Sequence, residues 1–306
     1  MAKYFRNFLG WSRFQPAAWV RVTGEDALVF LQGQFTQNLV KTPDGGVAYG
    51  LWLTPKGRVM GDSLILRVSA QELWIYSEGF SGPALCARLE AYLVADDVAL
   101  EDRSAGATAL AFYGVRTDGE QAERATEPDD CEPGRGRRIE GGAVLRGSGR
   151  RAGWGVWLHD DPGVPVAEPP GPAWTKTQAE RWRSAQGLAR VPEDVGPGEF
   201  ADEGGLEHDA ISYTKGCYLG QETVARLKAF AQVRRVLRPV AGKGPVPVGP
   251  GLPLFQGAKR VGELRTTVDD GQGGYVGFAL LTVAAWDPAA RLSLAENTPA
   301  ELVVSS

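Results

Sequence analysis

Lys215-Gly216-Cys217-Tyr218-Leu219-Gly220-Gln221-Glu222 gathers an ammonium, a thiol, a phenol, an amide and a carboxylate into eight residues, with glycine at two places. Glycine at such positions admits a tight turn or the close approach of a ligand. Lys215 beside Cys217 favours a thiolate, and Gln221 with Glu222 offers donors and acceptors to a polar heterocycle. The same residues also fit a plain loop entering a helix, with Tyr218 and Leu219 packing inward and Cys217 small and buried. The residues alone leave these two readings even.

Upstream, Pro192, Gly196, Pro197, Gly198, Gly204 and Gly205 form a loose approach to the octapeptide, which suits either a presented binding loop or an interdomain linker. Before it, Thr177-Gln178-Ala179-Glu180 reads as a capping box that opens a helix through Trp182 and ends near Gly187. Downstream, residues 223–228 continue as a helix or turn. Beyond a boundary near 231, residues 235–240, 262–268, 275–280 and 291–294 are short strand candidates between Gly and Pro turns, a pattern for a small β-barrel or sandwich. Arg226, Lys228, Arg234, Arg235 and Arg238 cluster at that junction, as ordinary surface charge or as an anion-facing seam.

In the N-terminal part a strand over 19–22 precedes a helix with Thr23 as N-cap, Glu25 and Asp26 in its first turn, and Leu28, Leu31, Phe35 and Leu39 on one face. Gln32, Gln34, Gln37 and Asn38 fall opposite, as a solvated face or a polar cavity lining. Strands are expected over 47–53, 63–68 and 72–76, the first two joined by a hairpin-like connection at 55–58. Ser81 with Pro83 opens a helix with an apolar stripe of Leu85, Leu89 and Tyr92 or Leu93, and Cys86 packs within it. Strands at 109–115 and 153–158 are separated by a Gly-, Glu-, Asp- and Arg-rich stretch over 119–149, read as surface connection with Cys131 exposed in it. Antiparallel strands with helices on one face indicate an α+β layer architecture.

With 43% hydrophobic residues, nine Trp and eleven Phe, the 306-residue chain can bury a core across two or three domains. A net charge of -4 argues against general nucleic-acid or membrane-surface binding. Cys86, Cys131 and Cys217 are far apart and form no CxxC pair, and His159 and His208 are the sole histidines, so a protein-held zinc or iron-sulfur site is not expected. Lys3, Arg6 and Arg13 interrupt the apolar N-terminus, and no run approaches 18 apolar residues; the expectation is a soluble cytoplasmic protein with no membrane partner.

Residues 215–226, KGCYLGQETVAR, resemble the signature of the YgfZ-type folate-binding proteins, relatives of the aminomethyltransferase (T-protein) of the glycine cleavage system. Supporting segments follow in the family's order: Val22-Thr23-Gly24-Glu25-Asp26-Ala27, Phe30-Leu31-Gln32-Gly33-Gln34, Thr54-Pro55-Lys56-Gly57-Arg58, the run 183–187, and Val261-Gly262-Glu263. The resemblance implies two interwoven α+β domains over 1–230 around a central folate-binding hole, and a C-terminal β-barrel over 231–306. It implies tetrahydrofolate or a one-carbon derivative as cofactor, iron-sulfur enzymes or cluster-assembly proteins as partners, and a role in iron-sulfur enzyme maintenance and, through it, tRNA modification. Cys217 is then the reactive residue and Lys215 the neighbour that tunes it. A pterin suits amide or carboxylate acceptors, aromatic faces and cations for its glutamate tail, which nominates Gln32, Gln34, Gln221 and Glu222, then Tyr218 and Trp182, then Arg183 and Arg226. The transferase differs in two places. Its R-x-E-x-G run corresponds to Arg183-Ser184-Ala185-Gln186-Gly187, with Ala185 in the carboxylate position, and the run matching its catalytic-Asp segment, 75–82, has no Asp. Aminomethyl transfer is therefore the alternative reading and not the leading one.

Overall fold

In the second to fourth strands of the chain's first sheet, apolar residues occupy both parities, so both faces must be covered. The computed structural model describes residues 8–114, 131–161, 166–230, 233–249, 251–299 and 301–304. Strands β1 (Gly10–Phe14) and β2 (Ala18–Thr23) lead to helix α1 (Ala27–Gln34). Then come β3 (Gly46–Leu53), β4 (Val59–Arg67), β5 (Glu72–Ser77), α2 (Gly82–Glu90) and β6 (Ala99–Asp102). The order β3-β4-β5-β2-β6 makes one antiparallel sheet. Val20, Val22, Trp52, Ile65 and Ile75 on one face pack against Leu31 of α1 and Leu85 and Leu89 of α2. Trp19, Tyr49, Leu51, Leu64, Leu66, Trp74 and Tyr76 point the other way, into the largest core.

That core is closed by a second sheet, β1-β7-β10-β9-β8, built from β1, β7 (Thr108–Tyr113), β8 (Gly136–Ile139), β9 (Gly142–Arg146) and β10 (Trp154–His159). Ala109, Ala111, Leu145, Val156 and Leu158 supply its inner face. Helix α3 (Lys176–Ala185), the short α4 (Glu207–Ala210) and α5 (Gln221–Phe230) follow. A third antiparallel sheet runs β12-β13-β14-β11-β15, from β11 (Arg235–Lys243), β12 (Leu252–Gln256), β13 (Lys259–Asp269), β14 (Gly274–Thr282) and β15 (Val303–Val304). Single bridges Phe255 to Ser293 and Leu292 to Leu302 link its two edges. Residues 291–294, expected as a strand, contribute these bridges only.

Four local expectations are corrected. Helix α1 starts at Ala27 with Asp26 as N-cap, because Thr23 stays in β2, paired with Glu72 and Ala99. The capping box of α3 is formed by Thr175 and Gln178, two residues before the one expected. The polar stretch after the second sheet's β7 carries β8 and β9, whose backbone bonding to the sheet overrides their Arg- and Gly-rich composition. Cys131 is buried, its Sγ donating to the Arg135 carbonyl at 3.1 Å, and burial pushes its thiol up to about 11. Expected loop residues 119–130 lie outside the described residues. Among the described residues no helix is long and apolar enough to cross a membrane.

Candidate functional site

The octapeptide folds onto α1. Lys215 is buried, and its Nζ donates to the carbonyls of Gln32 at 2.6 Å, Phe35 at 2.5 Å and Gln37 at 3.1 Å. These are carbonyls at a helix end, where backbone acceptors lack partners along the helix and a cation is favoured. Burial pushes the Lys215 ammonium down to about 8. Leu219 N–H donates to the Gly33 carbonyl at 3.0 Å, tying the same two segments again. Gly220 has φ +85°, and a Cβ there would lie 2.6 Å from the Thr54 carbonyl oxygen, so the turn 54–57 and the octapeptide approach as closely as glycine permits. Gly216, by contrast, faces open space. Tyr218 is buried beside Lys215, with Nζ 5.0 Å from its ring centroid, and burial raises its phenol to about 12. Gln221 Oε1 accepts from Tyr218 N–H at 3.2 Å, at the start of α5. Cys217 is exposed. Glu222 and Arg226 pair at 3.5 Å on the outer side of α5, both largely in solvent.

Gln32 and Gln34 act locally. Gln32 Oε1 accepts from Leu39 N–H at 2.8 Å and its Nε2 donates to Asn38 Oδ1 at 3.2 Å, while Gln34 Oε1 accepts from Arg88 at 3.3 Å. The structure thus ties Lys215 and Leu219 to the end of α1, with Tyr218 and Gln221 bonded beside them and Cys217 exposed on the same loop. It sets Trp182 and Arg183 elsewhere.

Those two line a cavity of about 730 Å³, open solvent included, between the first two sheets and beneath α3. The cavity is lined from β3, β4, β5, β7, β10 and α3. Its walls are aromatic: Tyr76 and Trp154 lie 5.9 Å apart by ring centroid, and Tyr113 lies 5.4 Å from Trp182 and 5.2 Å from Trp174, stacked on the latter. Three carboxyls line it, those of Asp62, Glu78 and Glu180. Asp62 Oδ2 accepts from Tyr49 Oη at 2.9 Å, and Oδ1 has no partner among the described residues. Burial pushes this carboxyl up to about 6, against the pull of Arg151. Glu78 accepts from Tyr76 Oη at 3.2 Å and stands at the open side of the cavity, exposed to solvent. Arg151 donates to Tyr49 Oη at 2.8 Å and covers the Tyr49 ring at 3.6 Å.

The cations on the α3 side are engaged. Arg183 binds Glu180 at 2.9 Å, Asp194 at 2.8 Å and Thr266 Oγ1 at 3.0 Å, and Arg190 pairs with Glu180. Burial opposes the charge of Arg190, but Glu180 and Glu78 hold it above its ordinary value. Burial raises the phenols of Tyr49, Tyr76 and Tyr113, so all three remain O–H donors. Ala185 is exposed and does not line the cavity, whereas Glu78 stands inside the run 75–82 and does. The absence of Asp from that run is therefore not an absence of carboxylate. Among the described residues, no group of three or more His, Cys, Asp or Glu side chains is placed to hold a metal ion.

Antiparallel layers around a cavity, with a third sheet appended, define the T-protein class of fold. The aminomethyltransferase T of the glycine cleavage system from Bartonella henselae superposes with a TM-score of 0.76 over 98% of this chain and 86% of that one, at 15% identity. Residues 6–126 match the family model of the GCVT N-terminal domain. In sequence, the chain is similar to the mitochondrial iron-sulfur cluster assembly factor IBA57 of Mus musculus, 28% identical over 88% of this chain and 76% of that protein. The Homo sapiens protein of the same name is 27% identical over 86% of this chain and 74% of its own. Together these findings support a GCVT-related family.

Proposed function

We propose that this protein is a folate-binding accessory factor that supports the synthesis or repair of iron-sulfur enzymes and, through them, tRNA modification. The similarity to proteins named iron-sulfur cluster assembly factors supports the iron-sulfur part. The observation that carries the folate part is the cavity between the first two sheets, with flat aromatic walls and a carboxyl oxygen free to accept. A tetrahydrofolate fits that chemistry: Trp182, Tyr76 and Trp154 face its rings, and Asp62 and Glu78 accept its N–H groups. When bound, it supplies one-carbon or redox chemistry. Cys217, exposed on a loop anchored by Lys215, is the thiol that meets the partner enzyme or its cluster.

Titration calorimetry with tetrahydrofolate tests the cavity, and binding of one equivalent is expected. Cys217→Ala tests the loop: in a strain lacking this protein it leaves the iron-sulfur enzyme defect uncorrected, and full correction would return Cys217 to a passive role. A second reading, folate-dependent aminomethyl transfer, is favoured by one observation, the Glu78 carboxyl in the cavity. Turnover in a reconstituted glycine cleavage assay would establish it.

A further inference from the structure

Strand β3 is an edge of the first sheet, and its outer row of backbone groups is covered near its two ends. Val47 N–H donates to the Gly134 carbonyl at 2.8 Å; Thr36 N–H donates to the Leu51 carbonyl at 3.2 Å, and Leu51 N–H donates to Thr36 Oγ1 at 2.7 Å. Residues two apart along a strand turn their N–H and C=O to the same edge, so Tyr49 directs its pair outward between these covers. Neither group meets a partner on that edge among the described residues. The free rung opens into a cleft of about 660 Å³, open solvent included, lined beside Tyr49 by Gln37, Asn38, Lys41, Ser148, Asp209 and Ser212. Tyr49 stands between this cleft and the aromatic cavity, where its hydroxyl reaches Asp62.

The cleft is rich in donors. Asn38 Oδ1 accepts from Lys41 N–H at 3.1 Å and from Gln32 Nε2 at 3.2 Å, which leaves Asn38 Nδ2 without a partner among the described residues. Asp209 is answered by Arg150 at 2.5 Å, while Lys41 is exposed and forms no ion pair among the described residues. One positive charge is left over, and it favours an anionic ligand. We propose that this cleft binds the carboxyl end of an extended peptide, one residue of which pairs its N–H and C=O with Tyr49 while the terminal carboxylate meets Lys41. An α-peptide residue carries both groups on one edge, at the spacing that a strand residue presents. A γ-linked glutamyl unit separates them by two further carbons and cannot pair both. The covers at Val47 and Leu51 stand roughly 13 Å apart, so a longer strand would collide with Gly134 or Thr36, whereas a chain end needs one exit only. The proposal stands apart from the folate reading. It places a partner's tail beside the octapeptide, since the Gln37 carbonyl holds Lys215 and the cleft residue Ser212 leads into the same loop.

The test is NMR of the full chain labelled with nitrogen-15 tyrosine, Tyr49 being the amide signal that disappears in Tyr49→Phe. The probes are acetyl-trialanine with a free carboxylate, the same peptide as its C-terminal amide, and γ-linked triglutamate. The free acid is expected to shift the Tyr49 amide saturably, and the amidated peptide to bind about fivefold more weakly. Lys41→Ala lowers affinity for the acid by about the same factor and leaves that for the amide unchanged. Ser148→Trp, at an exposed position, fills the cleft and abolishes the shift. Equal binding of acid and amide, or binding that survives Ser148→Trp, overturns the proposal, as does a Tyr49 amide unmoved by every probe. A response to γ-linked triglutamate alone overturns it in favour of a small-molecule tail. None of these outcomes bears on tetrahydrofolate binding, which calorimetry measures separately.

Discussion

Lys215 directs its ammonium at three backbone carbonyls and not at the neighbouring thiol, which separates two roles that adjacency in sequence had merged. Lys215→Met keeps the length of the side chain and leaves those acceptors without a donor. It should destabilise the protein by roughly 2–3 kcal/mol in urea unfolding, the cost of stranding buried carbonyls. Alkylation of Cys217 by iodoacetamide in the folded protein should stay within twofold; a larger fall would restore Lys215 as the group that tunes the thiol. In the cavity, the residues that the sequence reading passed over carried a signal. Asp62 is in phase with Leu64 and Leu66, and Glu78 with Trp74 and Tyr76, so each places a carboxylate on a face that is otherwise core. Arg151, Trp154 and Arg190 offered no such signal, because only the stacking of two sheets brings them to the same space.

Helix α3 roofs the cavity, and its start shows how a local motif can be read two ways. Thr175-Lys176-Thr177-Gln178-Ala179-Glu180 contains two overlapping box patterns. The first wins: Gln178 N–H donates to Thr175 Oγ1 at 3.3 Å, and Gln178 Oε1 accepts from Thr175 N–H at 2.9 Å. Glu180 is thereby released to hold Arg183 and Arg190. Thr175→Ala should lower stability by about 1 kcal/mol and Thr177→Ala by less than about 0.5. Paired thermal melts check this, and the reverse ranking would put the cap back at Thr177. Four strands of the first sheet, β2 to β5, were legible because β-rich apolar runs are bounded by turn residues; β6 (Ala99–Asp102), half polar and at the sheet's edge, was not expected. Strands β8 and β9 were not, since their pairing is set by β10 and by nothing in their own composition.

At the scale of the molecule, Asp194 is fully buried and joins α3 to the third sheet, taking Arg183 at 2.8 Å and the Thr266 N–H at 3.1 Å. Arg265 and Arg235 add bonds to Glu199 at 2.8 and 3.4 Å. Asp194→Asn removes one charge of a buried pair and leaves Arg183 partly uncompensated. A loss of about 3–5 kcal/mol in urea unfolding is expected, with faster hydrogen exchange around Thr266; unchanged exchange there would mean that the third sheet is held by its apolar contacts alone. The second sheet also imposes an order in time. Strand β1 pairs with β7, and Ser12 reaches Tyr113 across 101 positions of sequence. On a ribosome adding about 5–20 residues per second, β1 waits roughly 5–20 s for its neighbour to be made. Through that interval Trp11 and Phe14 have no sheet to join, so the newborn chain must keep its first strand from unsuitable company before the cavity it helps to enclose can exist.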